Sequence, residues 1–275
     1  MVFGYGMISG PEFLQAGIPA VLRASALARS LEGTATNVPK LREISPVKAA
    51  MTLADSETQE VILLSLRERF SSAQLLAEED TSSVSSFSEQ GEETIVLDPI
   101  DGTFHGYLGG EGPYSTNLGL VKEGRYSVSI VSLPREHLIF YVSSEGAPKI
   151  QEATGAPRLA RVTSKGRGIF VSQYVPDSVR TALSEKGYEP TFGSGGAISV
   201  APLVPGVVAG LRVSPSAEGV SIRGRVGLPI TLAAGAIAAT TSGDFPLEIS
   251  QKSDHLITAT DEATLKDIRD ALTQP

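Results

Sequence analysis

The run Thr94-Ile95-Val96-Leu97 is apolar and β-branched, and Asp98-Pro99-Ile100-Asp101-Gly102-Thr103 follows it directly. The first aspartate therefore falls where a buried strand ends. Pro99 fixes one backbone angle and Gly102 permits a tight turn, so Asp98 and Asp101 converge on one point rather than splay apart. Two carboxylates with the carbonyl of Ile100 between them form the oxygen-rich site that Mg²⁺ selects. Thr103 adds a hydroxyl, and the backbone N–H groups of Gly102 and Thr103 begin a cradle of the kind that holds phosphate. Taken alone, an Asp-Pro-x-Asp-Gly stretch is as readily a surface turn with capping aspartates. The strand before it and the acidic cluster Glu78-Glu79-Asp80 upstream favour the metal site.

At 275 residues the chain is long enough for one large domain or two smaller ones that share an interface. A net charge of −8 argues against a nucleic acid polymer as partner, since that needs a basic face. It leaves a small phosphorylated substrate open, because a divalent metal supplies positive charge locally. The absence of cysteine excludes disulfides and thiolate metal sites. No apolar run approaches the roughly 20 residues that span a membrane. Met1 to Gly10 lacks the basic start and apolar core of a signal peptide. The expectation is a soluble, cytoplasmic protein with no membrane association.

Along the chain, residues 11–32 read as mainly helical, with a kink or fresh start at Pro19. Residues 33–50 read as a loop or hairpin. Asp55 or Ser56 caps a helix that buries Val61, Ile62, Leu64, Leu66 and Phe70. Residues 81–93, rich in serine and acidic side chains, read as an exposed loop. Ser115–Lys122 and Tyr126–Leu133 alternate as strands around Glu123-Gly124-Arg125, and Leu138–Ser143 and Lys149–Glu152 form a further pair. This meander closes an α+β half, residues 1–155. The second half, 156–275, alternates strand and helix: a strand at Gly168–Ser172, a helix at Asp177–Lys186, a glycine-rich stretch at Thr191–Gly210, and a buried helix over Pro229–Thr241. A strand at His255–Thr260 and a terminal helix capped by Asp261 complete it.

Leu76-Ala77-Glu78-Glu79-Asp80, followed by Val96-Leu97-Asp98-Pro99-Ile100-Asp101-Gly102-Thr103, resembles the signature of the inositol monophosphatase superfamily. These are Mg²⁺-dependent phosphomonoesterases. The Ala-Glu-Glu-Asp wording is similar to the 3'(2'),5'-bisphosphate nucleotidase branch. Ser45-Pro46-Val47 and Thr52-Leu53-Ala54-Asp55 resemble a further family segment, with Lys48 to Met51 inserted. The resemblance implies an α/β (α+β) fold, a layered αβαβα sandwich. It implies metal ligands Glu78, Asp98, Asp101 and the Ile100 carbonyl, with Glu78 and Thr103 orienting the attacking water. Asp55 then accepts from the Thr103 hydroxyl, and Gly102, Thr103, Gly193 and Ser194 face the substrate. Homodimers are common in this superfamily, so a homodimer is one expected state.

One position departs from the pattern. The family opens a late helix with Trp-Asp-x-Ala-Ala-Gly, and the matching stretch here is Ile230-Thr231-Leu232-Ala233-Ala234-Gly235. Thr231 stands where the resemblance calls for a metal-ligand aspartate, and a neutral hydroxyl is a poor Mg²⁺ ligand. Three readings follow. Arg212, Arg223 or Arg225 neutralises substrate phosphate in place of a second metal; the enzyme is slow and dominated by one metal; or the fold has outlived the chemistry. Of the histidines, His105 lies just after the central motif, either facing substrate or solvated on a loop. Gly193-Ser194-Gly195-Gly196 is no P-loop, and there is no nucleophile elbow.

Overall fold

The structure is a computed structural model that describes residues 7–40, 50–162 and 165–273. In chain order its elements begin with helix α1 (Gly10–Leu31), helix α2 (Leu53–Phe70) and strands β1 (Gln74–Leu76) and β2 (Glu93–Asp101). A π-helical turn, Thr103–Leu108, follows, and then strands β3 (Ser115–Lys122), β4 (Arg125–Leu133), β5 (Leu138–Ser143), β6 (Lys149–Glu152) and β7 (Arg158–Leu159). The second half holds β8 (Gly166–Val171), α3 (Asp177–Glu185), β9 (Glu189–Phe192), α4 (Gly195–Val200) and β10 (Gly206–Val213). It ends with α5 (Leu228–Ala233), β11 (Ile237–Ala239), β12 (His255–Ala259) and α6 (Glu262–Thr273).

Two sheets result. The first is seven-stranded in sequential order β1 to β7. It is antiparallel except that β1 runs parallel to β2. The second is five-stranded in the order β11-β12-β10-β8-β9, with β8 parallel to both β10 and β9. Both faces of the first sheet are covered, so β3, β4 and β5 are buried along nearly their whole length. Ile95, Leu97, Leu118, Val128 and Ile130 turn towards α1 and α2. Val96, Val121, Val131 and Phe140 turn the other way, onto α4, α5 and the second sheet. The far face of the second sheet carries Val179 and Leu183 of α3 and Leu265 and Ile268 of α6. The layers are helix, sheet, helix, sheet, helix, as expected.

Several expectations need correction. α1 runs unbroken through Pro19, which sits on its exposed side, so water can take up the Gln15 carbonyl that proline leaves without a donor. The cap of α2 is Thr52, not Asp55 or Ser56; Asp55 lies in the first turn and accepts from both the backbone N–H and the hydroxyl of Thr52, at 2.7 Å each. The helix expected over Pro229–Thr241 stops at Ala233, because Gly235 adopts φ +87° and the chain beyond it pairs as β11 against β12. Residues 81–93 are less open than expected: a 3₁₀ turn covers Val84–Ser86, Phe87 is buried, and Ser83 donates twice to Glu60. The first sheet runs on to Leu159, past the expected boundary at 155. The expected segment Ser45-Pro46-Val47, with the inserted Lys48 and Ala49, lies outside the described residues. Among the described residues no helix is long and apolar enough to cross a membrane.

Candidate active site

The register of β2 against β3 is regular down to Asp98, opposite Asn117, and then slips, so that Asp101 faces Ser115. Residues three apart in a regular strand point to opposite faces; the extra residue turns Asp101 to the side of Asp98. The strand thus continues through both aspartates instead of ending at the first. Gly102 follows at φ +92°, and a Cβ there would lie 2.9 Å from that of Ser194. Both facts exclude other residues.

Glu78 arrives by another route. Parallel pairing sets Leu76 beside Val96, and the same register carried two residues further brings Glu78 beside Asp98. Their carboxyls share a hydrogen bond. Burial, Glu78 and Asp101 all push the Asp98 carboxyl well above its ordinary range. Burial pushes Glu78 up too, but Arg223, the bond from Asp98 and Lys40 outweigh it and hold Glu78 below the ordinary range.

The Thr103 hydroxyl lies 2.8 Å from the Ile100 carbonyl and 3.0 Å from Asp55 Oδ1. Asp55 is buried, and burial lifts its carboxyl to about 6 against the lowering effect of Thr52 and Thr103. Asp101 Oδ2 accepts from Gly196 N at 2.6 Å and from Asn117 Nδ2 at 3.1 Å, which ties the first half to the start of α4. Ser194 caps α4 and lies 2.8 Å from Ser115 Oγ, so the glycine-rich stretch meets the strand that pairs with the central motif. Gly193 packs on Phe170, where a Cβ would come within 2.7 Å of that ring's Cβ.

The three arginines separate. Arg223, on a 3₁₀ turn over Arg223–Arg225, places Nε 3.9 Å from Glu78 Oε2 and 3.8 Å from Asp98 Oδ2. Arg225, two residues on, is buried elsewhere: it donates to the carbonyls of Gln251 and Ile249 and lies over the Phe245 ring. It is a structural residue in place of the expected phosphate ligand. Arg212 lays its guanidinium against Gly195 and Gly224, where an added Cβ would come within 1.6 and 2.2 Å of Nη1. Among the described residues it has no ion-pair or hydrogen-bond partner. Thr231 is fully buried and donates to the Ser199 carbonyl at 2.6 Å, so its hydroxyl is spent inside the fold.

Sequence reasoning missed Lys40, which lies 3.3 Å from Glu78 and 2.7 Å from Glu79. It also missed Asn117 and Ser115. None of these carries a local motif; they are joined to the site by sheet register and loop closure. His105 sits in the π-helical turn with Nδ1 2.9 Å from Glu111 and its ring beside Phe192. Both line a cleft of about 450 Å³ with Arg180, Val175 and Pro190.

As a cation site the cluster offers two neighbouring carboxyls: Asp98 Oδ1 is buried without a hydrogen-bond partner, next to Glu78, and the Ile100 carbonyl two residues on accepts from Thr103. That donor set, all oxygen, suits a hard cation. Among the described residues no three His, Cys, Asp or Glu side chains form a metal-holding group.

A family model described as the inositol monophosphatase family matches residues 12–190. The chain belongs to the inositol monophosphatase family. Solved structures share the fold along the whole length. A Thermotoga maritima IMPase matches at a TM-score of 0.73 and 19% identity, covering 94% of this chain and 97% of that one. The extragenic suppressor protein suhB from Bartonella henselae matches at 0.70 and 16%, covering 98% and 100%. An IMPase/NADP phosphatase, complexed with NADP and Ca²⁺, matches at 0.71 and 17%, covering 98% and 97%. No curated protein sequence matches the chain. For this inositol monophosphatase family member, the matched stretch takes in Asp55, Glu78, Asp98, Asp101 and Thr103 and stops before Arg212, Arg223 and Thr231.

Proposed function

We propose that the protein is a Mg²⁺-dependent phosphomonoesterase acting on a small phosphorylated metabolite, a 3'-phosphonucleotide or a related sugar or nucleoside phosphate. One observation carries this reading: a buried, unpartnered oxygen of Asp98 beside Glu78, at the end of a strand whose next residues bring the Ile100 carbonyl and Asp55 together on the Thr103 hydroxyl. Glu78, Asp98, Asp101 and the Ile100 carbonyl supply the oxygens for the ion. Bound there, magnesium supplies Lewis acidity and makes water a nucleophile at neutral pH.

The protein's own groups do the rest. Asp55 Oδ1 accepts from the Thr103 hydroxyl, whose oxygen is then free to accept a hydrogen bond from the attacking water. Glu78 would orient the same water. The first N–H groups of the π-helical turn have no partner within it and face a phosphoryl oxygen. Arg223 and Arg212 add positive charge on the side contributed by the second half. The nucleotide preference rests on the Leu76-to-Asp80 wording and on the cleft by His105 and Phe192, whose volume suits a ligand of nucleoside size.

The test is phosphate release with Mg²⁺ across adenosine 3',5'-bisphosphate, NADP, inositol 1-phosphate, fructose 1,6-bisphosphate and 2'- and 3'-nucleotides. The wild type should release phosphate, fastest from a 3'-phosphonucleotide, and Asp98→Asn should not. Equal release by both overturns the assignment. The placement of Arg223 and Lys40 against the carboxylates favours a second reading, a weak or inactive member that binds a phosphorylated ligand. Silence across the panel, with ligand binding retained, would select it.

A further inference from the structure

Arg223 is an unusual neighbour for a pair of carboxylates that holds a metal. Its Nε faces Glu78 at 3.9 Å and Asp98 at 3.8 Å, close enough to interact with both. It makes no hydrogen bond to either: Nε is buried without a partner, as is Asp98 Oδ1. The backbone holds the residue in place, because its carbonyl accepts from Asn117 Nδ2 at 3.4 Å, and that same amide binds Asp101. Gly224 beside it lets the Arg212 guanidinium pack against the same turn. Thr231, turned to the Ser199 carbonyl inside the fold, contributes no charge.

We propose that Arg223 is a resident cation of this site. It holds a fixed positive charge against Glu78 and Asp98, the two carboxylates of the cation position. The protein therefore binds a single Mg²⁺, at Glu78, Asp98, Asp101 and the Ile100 carbonyl, and binds it against the repulsion of the guanidinium. The inference rests on the cation position of the proposed function and on no step of turnover.

Calorimetric titration of Mg²⁺ into the full chain tests it. The wild type should bind one ion per chain, and Arg223→Gln should bind it at least about tenfold more tightly, since a unit charge a few ångströms away has been removed. Arg223→Lys keeps the charge and should keep the wild-type affinity. Equal affinity in wild type and Arg223→Gln, or tightening in Arg223→Lys as large as in Arg223→Gln, overturns the proposal. If Arg223→Gln fails to fold by circular dichroism, Arg223→Met removes the same charge and is read the same way. Absence of Mg²⁺ binding in wild type and uncharged variants alike also overturns it. Tightening without phosphate release from any substrate leaves it standing and overturns the phosphatase reading alone.

Discussion

Asp55 joins two tasks in one carboxyl: Oδ2 closes the first turn of α2 through Thr52, and Oδ1 holds the Thr103 hydroxyl. Its burial has a cost that depends on pH. The folded carboxyl titrates at about 6, above the ordinary range near 4 of the unfolded chain. Between those values the folded state binds more protons than the unfolded one. The stabilisation from Asp55 is therefore complete below about pH 4 and is lost as pH rises through about 6. Urea unfolding at pH 4 and pH 7 should show the wild type losing about 2 kcal/mol relative to Asp55→Asn, which has no such titration. A difference between the two proteins that does not change with pH would mean that the carboxyl is not raised. Asp55, Glu78, Asp98, Asp101 and Thr103 were all legible in the sequence, because each lies in a short motif beside a strand or helix end. Arg223 and Arg225 were not separable. A 3₁₀ turn of three residues sends side chains two apart to different sides, and nothing in Arg-Gly-Arg says which one faces the carboxylates. Lys40 was invisible because it meets Glu78 across 38 positions of chain.

The turn after β2 shows what a single element demands of its glycine. Gly102 has φ +92° and a neighbour that a methyl group would strike, whereas Gly124, in the hairpin between β3 and β4, has φ +75° and open space around it. Gly124→Ala should cost only the backbone strain, about 1–2 kcal/mol. Gly102→Ala adds displacement of Ser194 and should shift the urea midpoint further; it should also lower phosphate release, which Gly124→Ala should leave alone. Equal midpoints for the two variants would contradict the contact with Ser194. Arg135 has a comparable role on the outer side of the site: it pairs with Glu32, donates to the carbonyls of Gly112 and Gly106, and lies over the Tyr114 ring. The long strands β3 to β6 were readable because alternation extends over enough residues to show. The three residues of β1 and the two of β7 are too few to display a period. Missing β1 hid the register that brings Glu78 to Asp98. The late helix was over-extended for a different reason: Ala-Gly-Ala-Ile-Ala-Ala continues a small apolar pattern past a glycine whose left-handed backbone is decided by sheet pairing.

At the scale of the molecule, the layer between the sheets belongs to both halves. Phe140 from the first sheet is packed in the same cluster as Val200, Ile230 and Leu256 from the second half. Phe140→Ala should cost about 3–5 kcal/mol and move the whole denaturant transition as one. A transition that splits in two would show halves that unfold separately. The site shares this dependence, since Asp101 is held by Gly196 across 95 positions and the guanidinium that faces Glu78 comes from later still. During synthesis the acidic end of β2 leaves the ribosome well before either partner exists. At about 5–20 residues per second the wait for Gly196 alone is about 5–20 s. Throughout that interval the nascent chain carries two crowded carboxyls without their later counter-charge. The order of translation thus leaves the most demanding contacts of the fold until last.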